Sequence, residues 1–370
     1  MQVKKKVCYI ISHVNKSLAF EWIANGLKDE VQLEFVLLNE TGSPLQKFLL
    51  ESKILVRLIR YRGKRDFILV FIKVFFLLLK RRPNVVHTHL LDAQLIGLTA
   101  AWLLRIPKRI YTRHNSNFHQ VYHPKGVKYD RWSNFISTQI VSISQATYTT
   151  LVHLEKVDPK KIVNIPHGFD LAHFENRDRL KIDSLQRKWK MEDRHPCIGV
   201  IARHIEWKGI QYIIPAFQRF IEQYPNAILI LANAQGPYHT EILRLLKSIS
   251  HKNYVLIPFE EDVASLYHSF DMYVHTPIDR LSEAFGQTYV EALGAGVPSV
   301  FTLSGIAAEF ISNNENALTV DFKNSGTIFN ALLQLWSDEP LRKKLSMNGK
   351  KSVERFALSN MLLRLKELYA

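Results

Sequence analysis

Cysteine is scarce in this chain and no apolar run is long enough to cross a bilayer, and each shortage removes a class of protein. Cys8 and Cys197 are the two cysteines in 370 residues. They lie far apart in strand-like apolar runs, which excludes a disulfide scaffold and fits two buried thiols of a reducing cytosol. The Phe67–Leu79 segment is almost wholly apolar, but its 13 residues, interrupted by Lys73, are too few to span a membrane, a helical crossing needing roughly 20. A signal peptide is not expected, because the apolar run after Lys4, Lys5 and Lys6 is short and is broken by His13, Asn15 and Lys16. Nothing in the composition suggests disorder or collagen. At 370 residues the chain is too long for one comfortable core and suits two domains of ordinary size.

Acidic residues are short in the first half. Up to Asp170, 26 Lys and Arg face 12 Asp and Glu, a net +14; the remainder holds 23 against 22, a net +1, which together make the formal +15. Much of the excess lies between Lys53 and Arg82, where Arg57, Arg60, Arg62, Lys64, Arg65, Lys73, Lys80 and Arg81 are joined by a single acid, Asp66. Such a segment implies a polyanionic partner. Nucleic acid is one class, but the chain carries no zinc-finger or RRM motif, and its cations flank an apolar helix rather than interleaving with aromatics. An anionic membrane surface is the other, since lipid headgroups attract Lys and Arg while an apolar face enters the headgroup boundary. A strand, Val85–His89, follows, so a buried crossover helix explains most of Phe67–Leu79 and membrane docking explains the flanking charges. No nucleic-acid partner is expected.

The densest chemistry lies in Ser282–Thr302, SEAFGQTYVEALGAGVPSVFT. Glu283 and Glu291 stand on either side of Phe285-Gly286; Tyr289, Val290, Ala292 and Leu293 have helical spacing, Gly294, Gly296 and Pro298 end the helix, and Ser299-Val300-Phe301 reads as a buried strand. A helix beginning at Phe285 and Gly286 presents unpaired N–H groups and suits a phosphate or another anion. Carboxylates beside a phosphate make sense as hydroxyl binders, which suggests a sugar on each side of a diphosphate.

The rest of the chain alternates strands and helices. Strands are expected at Val7–Ser12, Leu33–Leu38, Val85–His89, Arg109–Thr112, Ile140–Ile143 and Ile162–Ile165, with helices at Leu18–Leu27 and Ala93–Leu104. Alternation of this kind indicates a parallel sheet whose ligands sit at the carboxyl ends of the strands. His13, His87, His89 and Arg113-His114-Asn115 follow or end such strands. No His pair has the helical spacing of a zinc protease and no cysteine is near, so a metal site is not expected. A polar run through Arg194 leads to a second sheet beginning at Ile198–Ile201. Arg203 and Lys208 directly follow it and are placed to neutralise a diphosphate, Arg with a bidentate fork and Lys with a point charge.

The Glu283–Glu291 spacing resembles the signature of retaining GT-B glycosyltransferases, specifically glycosyltransferase family 4. Asp271-Met-Tyr-Val before it and Ser304-Gly305 to Glu309 after it resemble the family's flanking strand and loop. VVHTHL, YTRHN, VSISQAT and IPHGFD are similar to the landmarks of its N-terminal domain. The resemblance implies an α/β chain of GT-B fold, two Rossmann-like domains facing across a cleft with a C-terminal helix, Leu358–Tyr369, crossing back to the first. The domains are expected at 1–175 (acceptor), 176–352 (nucleotide-sugar donor) and 353–370 (returning helix). It further implies that Arg203 and Lys208 grip the donor pyrophosphate, that Glu291 binds the ribose, and that Glu283 and His114 contact the donor sugar. Phe285 and Gly286 would meet the diphosphate at the helix N-terminus, the end of strand Val255–Pro258 would meet the base, and Ser144 would lie at the site's edge. No cofactor or metal is implied, and the partners are a nucleotide sugar and a glycan or glycolipid acceptor. Lipopolysaccharide, capsule or lipid-linked glycan synthesis, on the inner face of the cytoplasmic membrane, follows as the expected setting. A nucleotide-sugar epimerase shares the two-sheet plan and is the alternative. The chain departs from the family after its first strand, where Ser12-His13-Val14-Asn15-Lys16-Ser17 replaces a glycine-rich turn.

Overall fold

The computed structural model describes residues 4–370. The chain divides into two units, the first taking residues up to Phe169 together with Phe356–Ala370, the second Asp170–Arg355.

In the first unit seven strands, β1 (Lys6–Ser12), β2 (Gln32–Asn39), β3 (Leu55–Arg60), β4 (Val85–His89), β5 (Lys108–Arg113), β6 (Gln139–Ser142) and β7 (Ile162–Asn164), form one sheet in the order β3-β2-β1-β4-β5-β6-β7. Every pairing is parallel. Helices cover both faces, so the central strands are buried on both sides; Val7 to Ser12 are all buried, which is why they read as a continuous apolar run rather than an alternation. The order reverses between β1 and β4, and that reversal is where a doubly wound sheet opens a crevice.

Helix starts follow local chemistry. Ser17 caps Leu18–Leu27 through its side chain, and Ser144 closes a capping box with Thr147 at the start of Gln145–Thr149. The Leu358–Tyr369 helix belongs to the first unit and lies against Leu18–Leu27. Gly168 permits this: a Cβ there would come within 2.7 Å of Met361 Cβ and 3.0 Å of Leu358 Cα. Tyr369 reaches the core, where its hydroxyl meets those of Tyr9 at 2.5 Å and His87 Nδ1 at 2.6 Å.

The basic segment differs from expectation in two ways. It contains the edge strand β3, and Arg57 and Arg81 pair with Glu34 at 3.0 and 3.6 Å. The helix that follows, Phe67–Arg81, buries only Val70, Val74 and Leu78 fully. Ile68, Leu69, Ile72 and Phe76 on its outer side are 74, 56, 44 and 61% exposed, so crossover packing accounts for one face and leaves the other apolar and open. Lys64, Arg65, Lys73, Lys80 and Arg82 stand exposed around it. Among the described residues no helix is long and apolar enough to cross a membrane.

The second unit repeats the plan with β8 (Cys197–Ile201), β9 (Ile228–Ala232), β10 (Tyr254–Ile257), β11 (Met272–His275), β12 (Ser299–Phe301) and β13 (Leu318–Thr319), all parallel, in the order β10-β9-β8-β11-β12-β13. The polar run read as a connection contains the helices Leu171–Glu175 and Arg179–Lys188, which pack within this unit. Cys8 and Cys197 are buried, free thiols.

Candidate active site

The second unit's strand order reverses between β8 and β11, and the chemistry-bearing residues gather beyond the carboxyl ends of those strands. After β8 the chain turns through Arg203 to Gly209. Gly209 has φ +75°, and a Cβ on it would sit 1.8 Å from Thr276 O; only glycine lets the two backbones meet so closely. Ile278 N also donates to Trp207 O at 3.1 Å. Lys208 is thereby fixed against the segment that leaves β11.

That segment carries Glu283, whose backbone N–H donates to Ser304 Oγ at 3.0 Å. Lys208 Nζ lies 2.5 Å from Glu283 Oε1, and His275 Nε2 lies 3.0 Å from the same oxygen. Burial alone would raise this carboxyl, but the Lys208 ammonium and the His275 ring outweigh it and hold Glu283 down to about 2. Burial pushes His275 below the usual imidazole range despite its carboxylate neighbour, so a neutral ring donates Nε2–H to Glu283. Its Nδ1 is buried with no hydrogen-bond partner among the described residues, and Tyr289 packs edge-on against the ring with centroids 4.9 Å apart.

Gly286, φ +86°, begins the Gln287–Gly294 helix without a side-chain cap. Tyr289 N donates back to Gly286 O at 3.2 Å, and the N–H groups of Gln287 and Thr288 lie ahead of the first helical turn, at the helix's positive end. Phe285 is buried, and its carbonyl accepts from Ile306 N at 2.9 Å, which anchors the turn. Farther along the helix Glu291 is not a solvated residue: Tyr267 donates its hydroxyl to Oε2 at 3.0 Å, and burial pushes the carboxyl up to about 7. Arg203 is exposed and, among the described residues, its side chain makes no hydrogen bond or ion pair. Pro258, following β10, is exposed as well.

Lys208, Glu283 and His275 thus form one contact group, with Gly286 and Phe285 in the turn that follows Glu283. His114 belongs to the first unit. It follows β5, with Nε2 3.0 Å from His89 Nδ1 and its ring stacked on His167 at 5.6 Å. Burial, aided by His167 and His87, lowers it to about 3, leaving a neutral imidazole. Its neighbour Arg113 is fully buried, paired with Asp130 at 2.7 Å and Glu155 at 2.5 Å, and His87 bonds Tyr369 and Thr112. These two strand residues serve the interior of the unit. Ser144 is likewise engaged as a cap. Among the described residues no group of three or more His, Cys, Asp and Glu is placed to hold a metal ion. His275, Tyr267 and Ser304 were not legible as site residues in sequence; His275, ending the strand eight residues before Glu283, was the available signal.

Residues 181–352 match the family model for glycosyl transferases group 1, and residues 23–173 match that for Glycosyltransferase Family 4. The chain is a GT-B glycosyltransferase. The capsular polysaccharide biosynthesis glycosyltransferase CapM of Staphylococcus aureus is 27% identical to it over 293 residues, covering 76% of this chain and 75% of that one. The alpha-monoglucosyldiacylglycerol synthase of Acholeplasma laidlawii is 24% identical over 310 residues, covering 79% and 74%. The glycosyltransferase also shares its fold with Anabaena HepE, whose crystal structure contains UDP and glucose. That likeness has a TM-score of 0.85 at 18% identity and covers 98% of this chain and 99% of that one.

Proposed function

We propose that this glycosyltransferase moves a sugar from a nucleoside-diphosphate sugar to a lipid-linked or other cell-envelope glycan acceptor, with retention of anomeric configuration. The observation that carries the donor half is the Lys208–Glu283–His275 contact beside the uncapped Gly286 helix. A cation, an open helix N-terminus and the exposed Arg203 at one sheet edge suit a diphosphate, and a carboxylate held ionised suits the hydroxyls of the sugar it carries. As the bond to the diphosphate breaks, negative charge grows on the leaving oxygen, and fixed donors stabilise it without reorganising. In this reading those groups meet the charge that a metal ion meets elsewhere. Glu291, anchored by Tyr267, takes the ribose hydroxyls, and Pro258 borders the base.

The acceptor half rests on the relatives, named for capsule and glycolipid synthesis, and on the open apolar face of Phe67–Arg81. Exposed aliphatic and aromatic side chains ringed by Lys and Arg gain free energy in an anionic headgroup layer. Beside a nucleic acid the aliphatic groups would gain nothing. The reading includes attachment to the inner face of the cytoplasmic membrane.

The test is a thermal-shift series with UDP, GDP, ADP and CMP, with and without EDTA. One nucleoside diphosphate should raise the melting temperature by mass action, in the presence of EDTA as well, and the shift should vanish in Arg203→Ala and Glu291→Ala. No shift with any nucleotide overturns the donor site. Retention is read from the anomeric proton coupling of the product, and an inverted product overturns it.

A further inference from the structure

Glu283 lies in a segment without regular helix or strand, so the aim of its carboxylate is set by the groups that touch it. Both of its side-chain donors reach one oxygen, Lys208 Nζ at 2.5 Å and His275 Nε2 at 3.0 Å from Oε1. Among the described residues no donor reaches Oε2. One oxygen is held and the other is left for a ligand. The two donors differ in how firmly they are placed. Lys208 comes from the short turn Glu206–Lys208, and its flexible side chain is 21% exposed. His275 ends β11, where it pairs with Phe301 of β12 and its carbonyl accepts from Thr302 N at 3.3 Å. Its side chain is 2% exposed and packs against Tyr289, edge-on at 4.9 Å, and Tyr273, stacked at 6.5 Å. Tyr289 is fixed in turn by its hydroxyl, which donates to Thr302 O at 3.1 Å. The imidazole cannot swing away without opening that packing.

The proton of the ring is placed as well. Because Nδ1 is buried without a hydrogen-bond partner among the described residues, a hydrogen there would be a buried donor left unpaired, and the lone pair then left on Nε2 would face the carboxylate oxygen. The Nε2–H tautomer avoids both costs. An imidazolium would carry the same unpaired Nδ1–H. Burial and the Lys208 ammonium also oppose it, and together they outweigh the Glu283 carboxylate and keep the ring neutral. His275 is thus a single N–H donor on a rigid strand, aimed at Oε1.

We propose that His275 is the positioning residue of Glu283, holding Oε1 from the strand so that Oε2 stays toward the donor sugar when Lys208 turns to the diphosphate. The inference rests on the donor-site reading above and deepens it. A diphosphate carries more negative charge than one carboxylate and competes with Glu283 for the same ammonium. When Lys208 changes partner, the carboxylate keeps one donor, and that donor sits where the chain is least able to move. The contact group is thereby divided into a cation that serves two anions in turn and an imidazole that serves one throughout.

The experiment uses the full chain and compares the parent with His275→Leu and His275→Gln. Dissociation constants are measured by calorimetry for UDP, GDP and ADP, and for UDP-glucose, UDP-galactose, UDP-N-acetylglucosamine, GDP-mannose and ADP-glucose. For the nucleotide sugar that the parent binds most tightly, His275→Leu should weaken binding by roughly tenfold, while the diphosphate of the same base changes by less than about twofold. His275→Gln, whose amide can donate to Oε1, should restore the sugar-dependent part. If His275→Leu does not fold, His275→Asn takes its place, being polar but too short to reach Oε1. Chain carrying 15N-labelled histidine, with the His275 signal assigned by its loss in His275→Gln, should show a neutral ring protonated at Nε2, with and without nucleotide. Equal losses for nucleotide and nucleotide sugar, no loss for either, failure of Gln to restore binding, or a ring protonated at Nδ1 each overturn the positioning role and leave the donor site standing. A parent that binds no nucleotide removes the donor reading and this inference with it.

Discussion

Tyr267 and Glu291 are joined by a hydroxyl that donates to Oε2 at 3.0 Å, yet burial still carries this carboxyl up to about 7. An acid whose folded pKa exceeds its unfolded value binds its proton more tightly in the folded state. Its contribution is full below the unfolded value and is lost as pH rises through about 7. Glu291→Gln should therefore stabilise the ligand-free protein at about pH 8, by on the order of 2 kcal/mol, and far less at about pH 4. Denaturant midpoints at the two pH values check this. The same variant should bind the stabilising nucleotide at least tenfold more weakly, roughly the value of a hydrogen bond to a charged group.

Lys208→Ala should lower turnover by roughly a hundredfold or more, the scale of one charge-stabilising donor. It should also lower stability, because Glu283 remains buried without its ammonium. Adding Glu283→Gln should restore most of the stability and none of the turnover. Additive losses in both readouts would show that the pair is not coupled.

Glu283 sets an acid limb. Its carboxyl is depressed to about 2, so its stabilising contribution is present above the ordinary carboxylate value and is lost as pH falls toward the folded one. In Glu283→Gln, urea midpoints should fall less steeply than in the parent between about pH 5 and about pH 3.

Ile72→Glu with Phe76→Glu should abolish flotation with vesicles containing anionic lipid while leaving the melting temperature within about a degree, since both side chains are already exposed. Vesicles of neutral phosphatidylcholine should recruit the parent poorly. Undiminished flotation of the double variant would place the contact elsewhere.

Arg113→Met should cost about 3–5 kcal/mol, because Asp130 and Glu155 would be left as buried carboxylates without their cation. Chemical unfolding followed by far-UV circular dichroism measures it, and a change below about 1 kcal/mol would show the network to be dispensable.

Much of the fold was legible because strands buried on both faces are unbroken apolar runs, as in Val7–Ser12 and Ile198–Ile201. Strand β3 was missed because its sequence, Leu-Val-Arg-Leu-Ile-Arg, lies at the sheet edge and spaces its cations at three, neither a buried run nor a clean alternation. Phe67–Leu79 is apolar on both its packed and its open face, with Lys73 its one charge, so the pattern of apolar residues did not tell the two faces apart. In the site, Arg203, Lys208, Glu283 and Glu291 sit in short local patterns that sequence displays. His275 and Tyr267 act through approaches across a sheet edge, and no local pattern encodes them.

The Tyr9–Tyr369 contact joins residues 360 positions apart, with the whole of Asp170–Arg355 lying between them in sequence. During synthesis the strand made first must wait for the second unit to emerge before its buried hydroxyl finds a partner. The second unit, continuous in sequence, closes its sheet on its own, whereas the first begins early and finishes late. A nascent chain halted before Phe356 should thus carry one folded unit and one open core, a state that exposes the first unit to chaperones and proteases for the time the ribosome takes to make the other.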